Sequence, residues 1–364
     1  MRVLHLSSER SWRGGEQQMS YLIAESRRRG MRTWVACRAG SRFAEHCRRE
    51  GVPHVELPFR HAFDLRTALG IKGMCAAHGI ELVHVHSGKS HGIAVLAAEL
   101  GNAPPIILSR RVDFPVRRNR LTRWKWNHRR VEKIICVSAA IERIVRAGVR
   151  RPERCVTVHS GVNPARCRPP VGYLRKRFDL APDVPLVGNT SALAEHKDYP
   201  TFVETAARVL RERPDVRFCI VGEGAERAAI ETRVREQGLA DRVLLTGFLD
   251  NVPEVLPELD VFLITSRTEG LGTSVLDAFA CRVPVVATAA GGIPEMVTHE
   301  RTGLLAPVGN ADALSDAVLR LLDDVDLRTD LVERAERRLR ASFTHEATAR
   351  RTLDVYREVL GHDA

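Results

Sequence analysis

Short apolar runs rich in β-branched residues alternate with amphipathic stretches from the start of the chain. Each run is four to six residues long, the length of a strand buried on both faces. Between most runs lie helical patterns such as Glu16–Arg28, in which Met19, Leu22 and Ile23 share one face. The predicted strands of the first half are Val3–Ser7, Thr33–Cys37, His54–Leu57, Leu82–His86, Ile106–Ser109, Lys133–Val137 and Arg154–Val158. This alternation predicts a parallel, doubly wound α/β sheet.

The alternation lapses at residues 159–170, where HSGVNPARCRPP is rich in Pro, Gly and Asn, and then resumes. The predicted strands of the second half are Val184–Gly188, Val216–Val221, Val243–Gly247, Val261–Thr265 and Val283–Thr288. The predicted helices are Pro200–Glu212, Ala225–Gln237, Thr273–Cys281 and Ala311–Asp323. A polar helical stretch, Asp326–Leu360, ends the chain, and we expect a break near Ser342–Thr344. A second doubly wound sheet therefore follows the first.

Two sheets joined by a short linker predict two domains, residues 1–165 and 166–344. We expect the last helix, about 345–364, to pack back onto the first domain. Ligands of doubly wound sheets bind at the carboxyl ends of the strands, so a cleft between the domains is the expected site. By fold analogy alone, dehydrogenases, epimerases, phosphorylases and sugar transferases all remain open.

Composition narrows the class of protein further. The 364 residues are 44% hydrophobic, 28% charged and 5% aromatic, which excludes a disordered chain, a collagen-like repeat and a disulfide miniprotein. No run of eighteen uncharged apolar residues or secretory leader is found, so we expect a cytoplasmic protein. The eight cysteines form no CxxC pair and predict neither a zinc site nor a disulfide framework.

The net charge of +11 is unevenly distributed along the chain. Residues 1–180 carry 35 Lys and Arg against 14 Asp and Glu, a net of +21, whereas residues 181–364 carry 21 against 31, a net of −10. A basic half suits a polyanionic partner such as a membrane surface, a nucleic acid or a phosphorylated substrate. Only six of the 56 basic residues are Lys, so an Arg bias in overall composition is the alternative explanation.

The most informative segment runs from Val261 to Pro307. A predicted strand is followed by Glu269, and Gly270–Gly272 leave backbone N–H groups unobstructed where the next helix begins. Such a helix N-terminus attracts phosphate. Asp277, eight residues after Glu269, adds a second carboxylate that suits a vicinal diol. Phosphate, ribose and sugar hydroxyls therefore fit this segment.

Together with other motifs, this segment resembles the retaining nucleotide-sugar glycosyltransferases of family 4, which have the GT-B fold. The shared motifs extend over nearly the whole chain and are Gly14-Gly15-Glu16, His84-x-His86, Gly161-Val162-Asn163, Gly188 through Lys197, Gly222-Glu223-Gly224, Gly247-Phe248, Glu269-x7-Asp277 and Gly291-Gly292-Ile293-Pro294-Glu295. The resemblance implies two Rossmann-like domains facing each other across a cleft. The first domain would bind the acceptor, and the second would bind the nucleotide sugar.

Matching positions imply a donor site in the second domain. Glu269 would accept hydrogen bonds from the donor sugar, residues 270–273 would donate backbone N–H groups, and Asp277 would accept from the ribose diol although the family usually has Glu there. Base contacts would come from residues 247–249. The donor-binding residues implied by the resemblance are Gly15 of the first domain and, in the second domain, Lys197, Gly222, Phe248, Glu269, Gly270, Leu271, Gly272, Thr273 and Asp277.

The catalytic residues implied by the resemblance are Glu269, Lys197 and His86. The ammonium of Lys197 would neutralise the departing nucleoside diphosphate, which a metal does in other transferases. The family generally has an Arg where Ala192 stands, and Arg267 is a candidate substitute. No cofactor is implied beyond the nucleotide sugar, for which UDP is favoured and GDP comes next.

In the first domain, the implied acceptor-binding residues are Trp12, Gly14, Glu16, Arg110 and Arg111. His84 and His86 lie two residues apart at a predicted strand end and therefore share a face. No third ligand is evident from the sequence, so we predict no metal site. Many family members carry a further His after the fifth strand. This chain has Arg110-Arg111 there, which would hold a phosphate or an acidic acceptor group.

The mechanism that the resemblance implies is metal-independent transfer with retention of the anomeric configuration to a hydroxyl acceptor. We expect cell-envelope glycan, lipopolysaccharide or glycolipid synthesis. The segment 115–133, PVRRNRLTRWKWNHRRVEK, combines two Trp with many cations, and we expect Arg117–Lys133 to contact an anionic membrane at its cytoplasmic face. The alternatives are a nucleotide-sugar epimerase or sugar phosphorylase of the same fold and, outside the enzymes, a basic nucleic-acid-binding protein.

Overall fold

The computed structural model describes residues 1–101, 103–116, 119–250 and 252–361. The chain divides into unit 1, which comprises residues 1–161 and the segment from 345 onwards, and unit 2, which comprises residues 162–344. Residues 162–165 therefore group with unit 2, whereas the sequence assigned them to the first domain. Each unit contains one parallel sheet with helices between its strands, so the predicted doubly wound α/β class is confirmed.

Seven parallel strands form the sheet of unit 1. They are β1 (Arg2–Ser7), β2 (Arg32–Arg38), β3 (His54–Leu57), β4 (Leu82–Val85), β5 (Ile106–Arg110), β6 (Val131–Cys136) and β7 (Cys155–Thr157). Their order across the sheet is β3-β2-β1-β4-β5-β6-β7. Helices cover both faces of a doubly wound sheet, so residues on both faces of β1 are apolar and buried, as Val3, Leu4 and Leu6 show.

The helices of unit 1 include the last one in the chain. They are α1 (Gly14–Arg28), α2 (Arg42–Arg49), α3 (Leu65–His78), α4 (Gly88–Glu99), α5 (Arg120–Trp126), α6 (Ala139–Arg146) and α14 (His345–Leu360). Leu353, Val355 and Tyr356 of α14 pack in one buried cluster with Val3 and Ile135 of the sheet. The C-terminal helix is therefore part of the hydrophobic core of unit 1.

Six parallel strands form the sheet of unit 2. They are β8 (Leu186–Thr190), β9 (Arg217–Val221), β10 (Val243–Gly247), β11 (Val261–Ile264), β12 (Val285–Thr288) and β13 (Leu304–Ala306). Their order is β10-β9-β8-β11-β12-β13. The three-residue strand β13 was not predicted, because Gly303 and Pro307 enclose it and leave no periodicity to recognise.

The helices of unit 2 lie between and after these strands. They are α7 (Tyr173–Arg177), α8 (Tyr199–Glu212), α9 (Arg227–Glu236), α10 (Val252–Val255), α11 (Thr273–Ala280), α12 (Ala311–Asp323) and α13 (Val325–Ser342). Asp324 starts α13 by accepting a hydrogen bond from the backbone N–H of Leu327 at 2.8 Å. The long C-terminal helical stretch is interrupted between Ser342 and His345, as predicted.

Both sheets reverse their winding direction at one point. In unit 1 the chain winds outward from β1 to β3 and then returns to place β4 on the other side of β1. In unit 2 it winds outward from β8 to β10 and then returns to place β11 on the other side of β8. At such a topological switch point the two neighbouring loops diverge and leave a crevice at the strand ends. The loops after β1 and β4, and those after β8 and β11, therefore define the two candidate sites.

No helix in the described residues is long and apolar enough to cross a membrane.

Candidate functional site

The switch point of unit 2 holds Glu269 in the loop after β11. Its carboxylate is only slightly exposed, and Oε1 accepts a hydrogen bond from the Ser266 hydroxyl at 2.8 Å. Its carbonyl accepts from the backbone N–H of Gly292 at 3.1 Å. A Cβ on Gly291, which has φ +52°, would lie 1.9 Å from that carbonyl oxygen. Glycine is therefore required at 291 for the Glu269 loop to close.

Lys197 comes from the other loop of the same switch point. It ends a short 3₁₀ turn, Glu195–Lys197, after β8, and its Nζ forms an ion pair with Oε1 of Glu269. Both side chains are largely buried. The Thr265 hydroxyl lies 3.1 Å from the carbonyl oxygens of both Lys197 and Asp198, which ties the two loops together. Two of the three predicted catalytic residues are thus in direct contact.

Arg267, the candidate substitute for the family's Arg at position 192, already forms an ion pair. The guanidinium of Arg267 is 3.0 Å from Oδ1 of Asp198, and this carboxylate raises the pKa of Arg267. The other carboxylate oxygen of Asp198 accepts from the Thr201 hydroxyl at 2.8 Å. Arg267 therefore stabilises the start of α8, and its contact with a diphosphate stays a prediction.

The glycine-rich segment after Glu269 leads directly into α11. Gly272 has φ +89°, a conformation that favours glycine, and the position of its missing Cβ is 3.8 Å from Cγ of Glu269. Leu271 is buried, and Thr273 is the first residue of α11. Burial raises the pKa of Asp277 on this helix to about 6, an effect that Arg166 partly opposes. At pH 7 this carboxylate is mostly ionised and able to accept hydrogen bonds.

The remaining predicted donor-binding residues of unit 2 follow β9 and β10. Gly222 donates its N–H to the carbonyl of Gly247 at 3.0 Å, and its Cβ would lie 1.9 Å from the carbonyl oxygen of Ser191. Phe248, the next residue after β10, is 67% exposed. All these groups lie at the carboxyl edge of the unit 2 sheet, which is the edge where doubly wound folds bind ligands.

In unit 1, the loop after β1 leads into α1 at Gly14 and Gly15. Glu16, a predicted acceptor-binding residue, is buried and caps this helix: it accepts from the N–H of Arg13 at 3.2 Å and from the hydroxyl of Ser7 at 3.4 Å. Burial raises its pKa. These contacts give Glu16 a structural role in orienting the start of α1.

Trp12 packs within unit 1 against α2. Its ring stacks on Phe43 with centroids 5.6 Å apart, and its tilted contact with His46 is 4.9 Å. Its indole N–H donates to the side-chain oxygen of Gln17 at 3.2 Å. The contacts of Trp12 therefore anchor the loop onto α2, and its predicted role in acceptor binding stays untested.

Three histidines converge at the switch point of unit 1. His5 of β1 pairs in register with His84 of β4, and its Nδ1 is 3.0 Å from Nε2 of His86, which follows β4. The sequence made no third ligand evident beside His84 and His86, and the structure places His5 there. Sequence patterns missed His5 because they do not reveal that β1 and β4 are neighbours. One nitrogen from each ring lies within 4.8 Å of the other two.

Most nitrogens of this histidine cluster already have partners. Nδ1 of His84 is 2.5 Å from the Tyr356 hydroxyl and its Nε2 is 2.8 Å from the Ser109 hydroxyl. Burial lowers the pKa of all three histidines, that of His5 to about 3, so the rings are neutral at pH 7. The Arg111 guanidinium, 3.2 Å from Nδ1 of His86, opposes a metal cation electrostatically. The arrangement is a hydrogen-bonded network, and the absence of a metal stays a prediction.

The side chains of the two arginines at the end of β5 point to different neighbours. The Arg110 guanidinium donates to the carbonyl of Phe114 and lies over the Trp126 ring, 5.5 Å from its centroid. Arg111 instead contacts His86, and its Cδ is 3.9 Å from where a Cβ on Gly15 would lie. Of the two arginines, Arg111 is therefore the one brought to the start of α1 and the end of β4.

Two family models match the chain. The model described as Glycosyltransferase Family 4 matches residues 12–166, and the model described as Glycosyl transferases group 1 matches residues 174–338. The first match falls almost wholly within unit 1, and the second falls within unit 2.

Similar proteins are glycosyltransferases by name. N-acetyl-alpha-D-glucosaminyl L-malate synthase of Bacillus anthracis is 32% identical over 52% of this chain and 50% of its own length. The lipopolysaccharide core biosynthesis glycosyltransferase LpsE of Rhizobium meliloti is 28% identical over 70% and 69%. Alr3699/HepE of Anabaena, solved in complex with UDP, is 20% identical over 98% of this chain and all of that one, with a TM-score of 0.85. The chain spans about half the length of curated relatives such as the Bacillus anthracis protein.

Proposed function

We propose that this chain, which belongs to the family 4 glycosyltransferases of GT-B fold, transfers a sugar from a nucleoside diphosphate sugar to a hydroxyl group of an acceptor. The transfer retains the anomeric configuration and requires no metal ion. Unit 2 binds the donor, and unit 1 binds the acceptor.

The observation that carries this proposal is the buried ion pair between Lys197 and Glu269 at the switch point of unit 2. An ammonium has three N–H donors, so Lys197 can keep one on Glu269 and direct another to a phosphate oxygen. Glu269 accepts from the Ser266 hydroxyl and from Lys197 at a single oxygen, Oε1, which leaves Oε2 to accept from a sugar hydroxyl. Lys197 thus contacts the diphosphate and Glu269 contacts the sugar, the two groups joined by the bond that breaks.

In the reaction, the bond between the anomeric carbon and the diphosphate oxygen breaks while the acceptor oxygen attacks from the same face. The acceptor proton passes to a phosphate oxygen of the leaving group, so no strong base from the protein is required. Lys197 stabilises the negative charge that develops on the diphosphate, and the backbone N–H groups at the start of α11 add to this stabilisation. Glu269 orients the sugar.

The nucleotide is bound at the carboxyl edge of the unit 2 sheet. Gly247, at the end of β10, accepts a hydrogen bond from Gly222, and the next residue, Phe248, has an exposed ring that suits a flat base. Asp277 accepts from the ribose diol. We favour UDP, the nucleotide bound in the HepE complexes, with GDP next. The names of several relatives concern lipopolysaccharide core and phosphatidylinositol mannoside synthesis, which supports a product of the cell envelope.

Thermal stabilisation by nucleotides tests the donor site. We expect UDP at 100 times its dissociation constant to add about 2.7 kcal/mol to the free energy of unfolding. Lys197→Ala is expected to lose most of this effect, whereas the control Lys176→Ala, which removes an exposed lysine of α7, keeps it. If no nucleoside diphosphate stabilises the wild type against thermal unfolding, the proposal is refuted.

We also propose that α5 and the residues before it contact an anionic membrane. Phe114 and Leu121 are 69% and 60% exposed, α5 buries none of its residues, and Arg123 on the same helix is exposed as well. Exposed apolar side chains among cations suit a lipid headgroup layer. The first two arginines of the predicted segment, residues 117 and 118, lie outside the described residues.

Vesicle sedimentation at low salt separates this membrane surface from a nucleic-acid surface. We expect binding to vesicles that contain anionic lipid, little binding to neutral vesicles, and a loss of binding for Leu121→Asp. Equal affinity for both kinds of vesicle contradicts the membrane contact. A preference for polyanionic RNA over vesicles also contradicts it, if Leu121→Asp leaves that preference unchanged.

A further inference from the structure

Two half-buried cysteines of unit 2 face each other at the C-terminal end of α11. Cys167 follows the 3₁₀ turn Pro164–Arg166, and Cys281 caps the end of α11. The Cys281 thiol donates to the carbonyl of Pro253 at 3.9 Å, and the same carbonyl accepts from the N–H of Arg168, the residue after Cys167, at 3.3 Å. Each thiol is the largest influence on the pKa of the other, through contact between the side chains. The turn and the helix thus present a Cys167–Cys281 pair.

The Cys167–Cys281 pair differs from the other cysteine pairs of the chain in its exposure. All eight cysteines are free thiols. Two further contacts between thiols, both in unit 1, join Cys37 to Cys47 and Cys136 to Cys155. Those four residues are at most 6% exposed, so a reagent in solution does not reach them. The pair at the end of α11 is therefore the one that a small oxidant reaches.

The two thiols of this pair are not equivalent. Their contact lowers the pKa of Cys167 and raises the pKa of Cys281. The thiolate is the reactive form of a cysteine, so Cys167 is the sulfur that attacks first and Cys281 is the one that resolves the intermediate.

The pair also lies beside Asp277, the carboxylate assigned to the ribose diol. The N–H of Cys281 donates to the carbonyl of Asp277, one turn earlier on α11, at 3.0 Å. The negative charge of Asp277 acts on both thiols, and Arg166, which directly precedes Cys167, lowers the pKa of Asp277 against the effect of burial. An S–S bond is about 2.05 Å long, much shorter than the contact distance of two thiols. Closing it draws the turn and the end of α11 together and displaces the carboxylate.

We propose that the Cys167–Cys281 pair is a reversible oxidation site, and that its disulfide weakens binding of the nucleotide at Asp277. The oxidation site stands on the two thiols alone. Its effect on binding rests on the proposed function, in which Asp277 accepts from the ribose diol. The oxidant is a disulfide of low molecular weight, for which glutathione disulfide is the probe.

The oxidation proceeds in two exchange steps. The Cys167 thiolate attacks one sulfur of glutathione disulfide, which breaks the S–S bond of that molecule and releases one glutathione thiolate. Cys281 then loses its proton to solvent and attacks Sγ of Cys167, which displaces the second glutathione thiolate and forms the bond between the two cysteines. The two protein thiols lose two electrons and two protons, and glutathione disulfide becomes two glutathione thiols.

Peptide mapping by mass spectrometry locates the bond. The whole chain is equilibrated with glutathione disulfide, its remaining thiols are blocked with iodoacetamide, and its peptides are compared with and without dithiothreitol. We expect one crosslink, between Cys167 and Cys281, that dithiothreitol reverses and that Cys167→Ser and Cys281→Ser abolish. The control Cys75→Ser removes a half-buried cysteine of α3 and should form the crosslink as the wild type does.

Calorimetric titration measures the effect on the nucleotide site, with UDP as the first probe and GDP as the second. We expect oxidation of the wild type to raise the Kd about tenfold, the effect of displacing a carboxylate that accepts hydrogen bonds. The double variant Cys167→Ser/Cys281→Ser should bind as the reduced wild type does, with and without glutathione disulfide. Its unchanged Kd also shows that the substitutions leave the fold intact.

The outcomes separate the oxidation site from the function. The oxidation site is overturned if glutathione disulfide leaves Cys167 and Cys281 as free thiols or crosslinks other cysteines instead. The effect on binding is overturned if the crosslink forms and the Kd stays the same. If the crosslink forms and neither the reduced nor the oxidised protein binds a nucleoside diphosphate, the oxidation site stands and the proposed function fails.

Discussion

The two switch points share one topology but differ in how their charges are balanced. In unit 2, the loops after β8 and β11 bring together a lysine and a glutamate that neutralise each other. In unit 1, strands β1 and β4 and the residue after β4 carry neutral histidines, and Arg111 hydrogen-bonds to one of them, His86, while the buried carboxylate of Glu16 attracts it without a direct ion pair in the described residues. The same winding of the sheet thus creates a crevice twice, and the loop residues decide which ligand fits it.

The contrast teaches which part of each site is structural. Lys197 and Glu269 satisfy each other without a ligand, and the loop that carries Glu269 depends on the close approach of Gly291 to Glu269. In unit 1, Tyr356 and Ser109 hold His84, Glu16 holds the start of α1, and Arg111 hydrogen-bonds to His86. Replacing residues of each kind should therefore have different consequences.

The largest effect is expected for Gly291→Ala in unit 2. A Cβ at 1.9 Å from the Glu269 carbonyl oxygen, together with φ +52°, forces the Glu269 loop to move. We expect a loss of about 2–4 kcal/mol in the free energy of unfolding and a strong fall in kcat. Chemical denaturation and turnover assays measure both.

The matched control is Gly73→Ala in α3. A Cβ there meets no atom within 4 Å, and alanine favours a helix, so we expect a gain of about 0.5–1 kcal/mol. If Gly291→Ala were as harmless as Gly73→Ala, the close approach to Glu269 would have no energetic importance.

A smaller loss is expected for Tyr356→Phe in unit 1. The substitution leaves Nδ1 of the buried His84 without its partner at 2.5 Å, at a cost of about 1–3 kcal/mol. The control is Tyr173→Phe, which removes a hydroxyl that contacts Arg177 at the surface and should change stability by less than about 0.5 kcal/mol. Equal effects of the two substitutions would show that the histidine network does not stabilise unit 1.

The last effect concerns pH and has opposite signs in the two units. The pKa of Asp277 is raised in the folded protein to about 6, so its contribution to stability is complete below about pH 4 and is lost as the pH rises through 6. The histidines have lowered pKa values, so their contribution is present above about pH 6.5 and is lost as the pH falls below it.

Asp277→Asn isolates the unit 2 part of this contrast. Relative to the wild type, the variant should be more stable at pH 7.5 than at pH 4.5. The affinity of the wild type for a nucleotide sugar should fall below pH 6, because a protonated carboxyl no longer accepts from both ribose hydroxyls, and the variant should bind weakly without this dependence. A wild-type affinity that is constant from pH 5 to pH 8 would remove Asp277 from the ribose site.

Much of the fold was predictable because it follows from periodicity. Alternating strands and helices give the two parallel sheets, and the break after Ser342 was visible as a change of pattern. Strand β13 was not predictable, since three residues show no period. The loops at 269–273 and 195–197 were located correctly at strand ends because parallel strands all end at one edge.

The directions of side chains at and after the strand ends could not be predicted from the sequence. Adjacent residues Arg110 and Arg111 have identical side chains, and only the path of the backbone at the end of β5 directs one to Trp126 and the other to His86. His5 joined the histidine cluster through a strand pairing that no local pattern encodes. Glu16 is an acidic residue in the first helical turn, and this signal alone would have indicated a capping role.

The central claim is that Lys197, paired with Glu269, supplies the positive charge for a metal-independent transfer. The most direct measurement is the rate of nucleoside diphosphate release from the preferred nucleotide sugar in the presence of a chelator, for the wild type, Lys197→Ala and Lys176→Ala. We predict full activity for the wild type and Lys176→Ala and a rate about 10²–10³ lower for Lys197→Ala. Loss of wild-type activity in chelator with recovery on adding a divalent metal, or an undiminished rate for Lys197→Ala, would contradict the account.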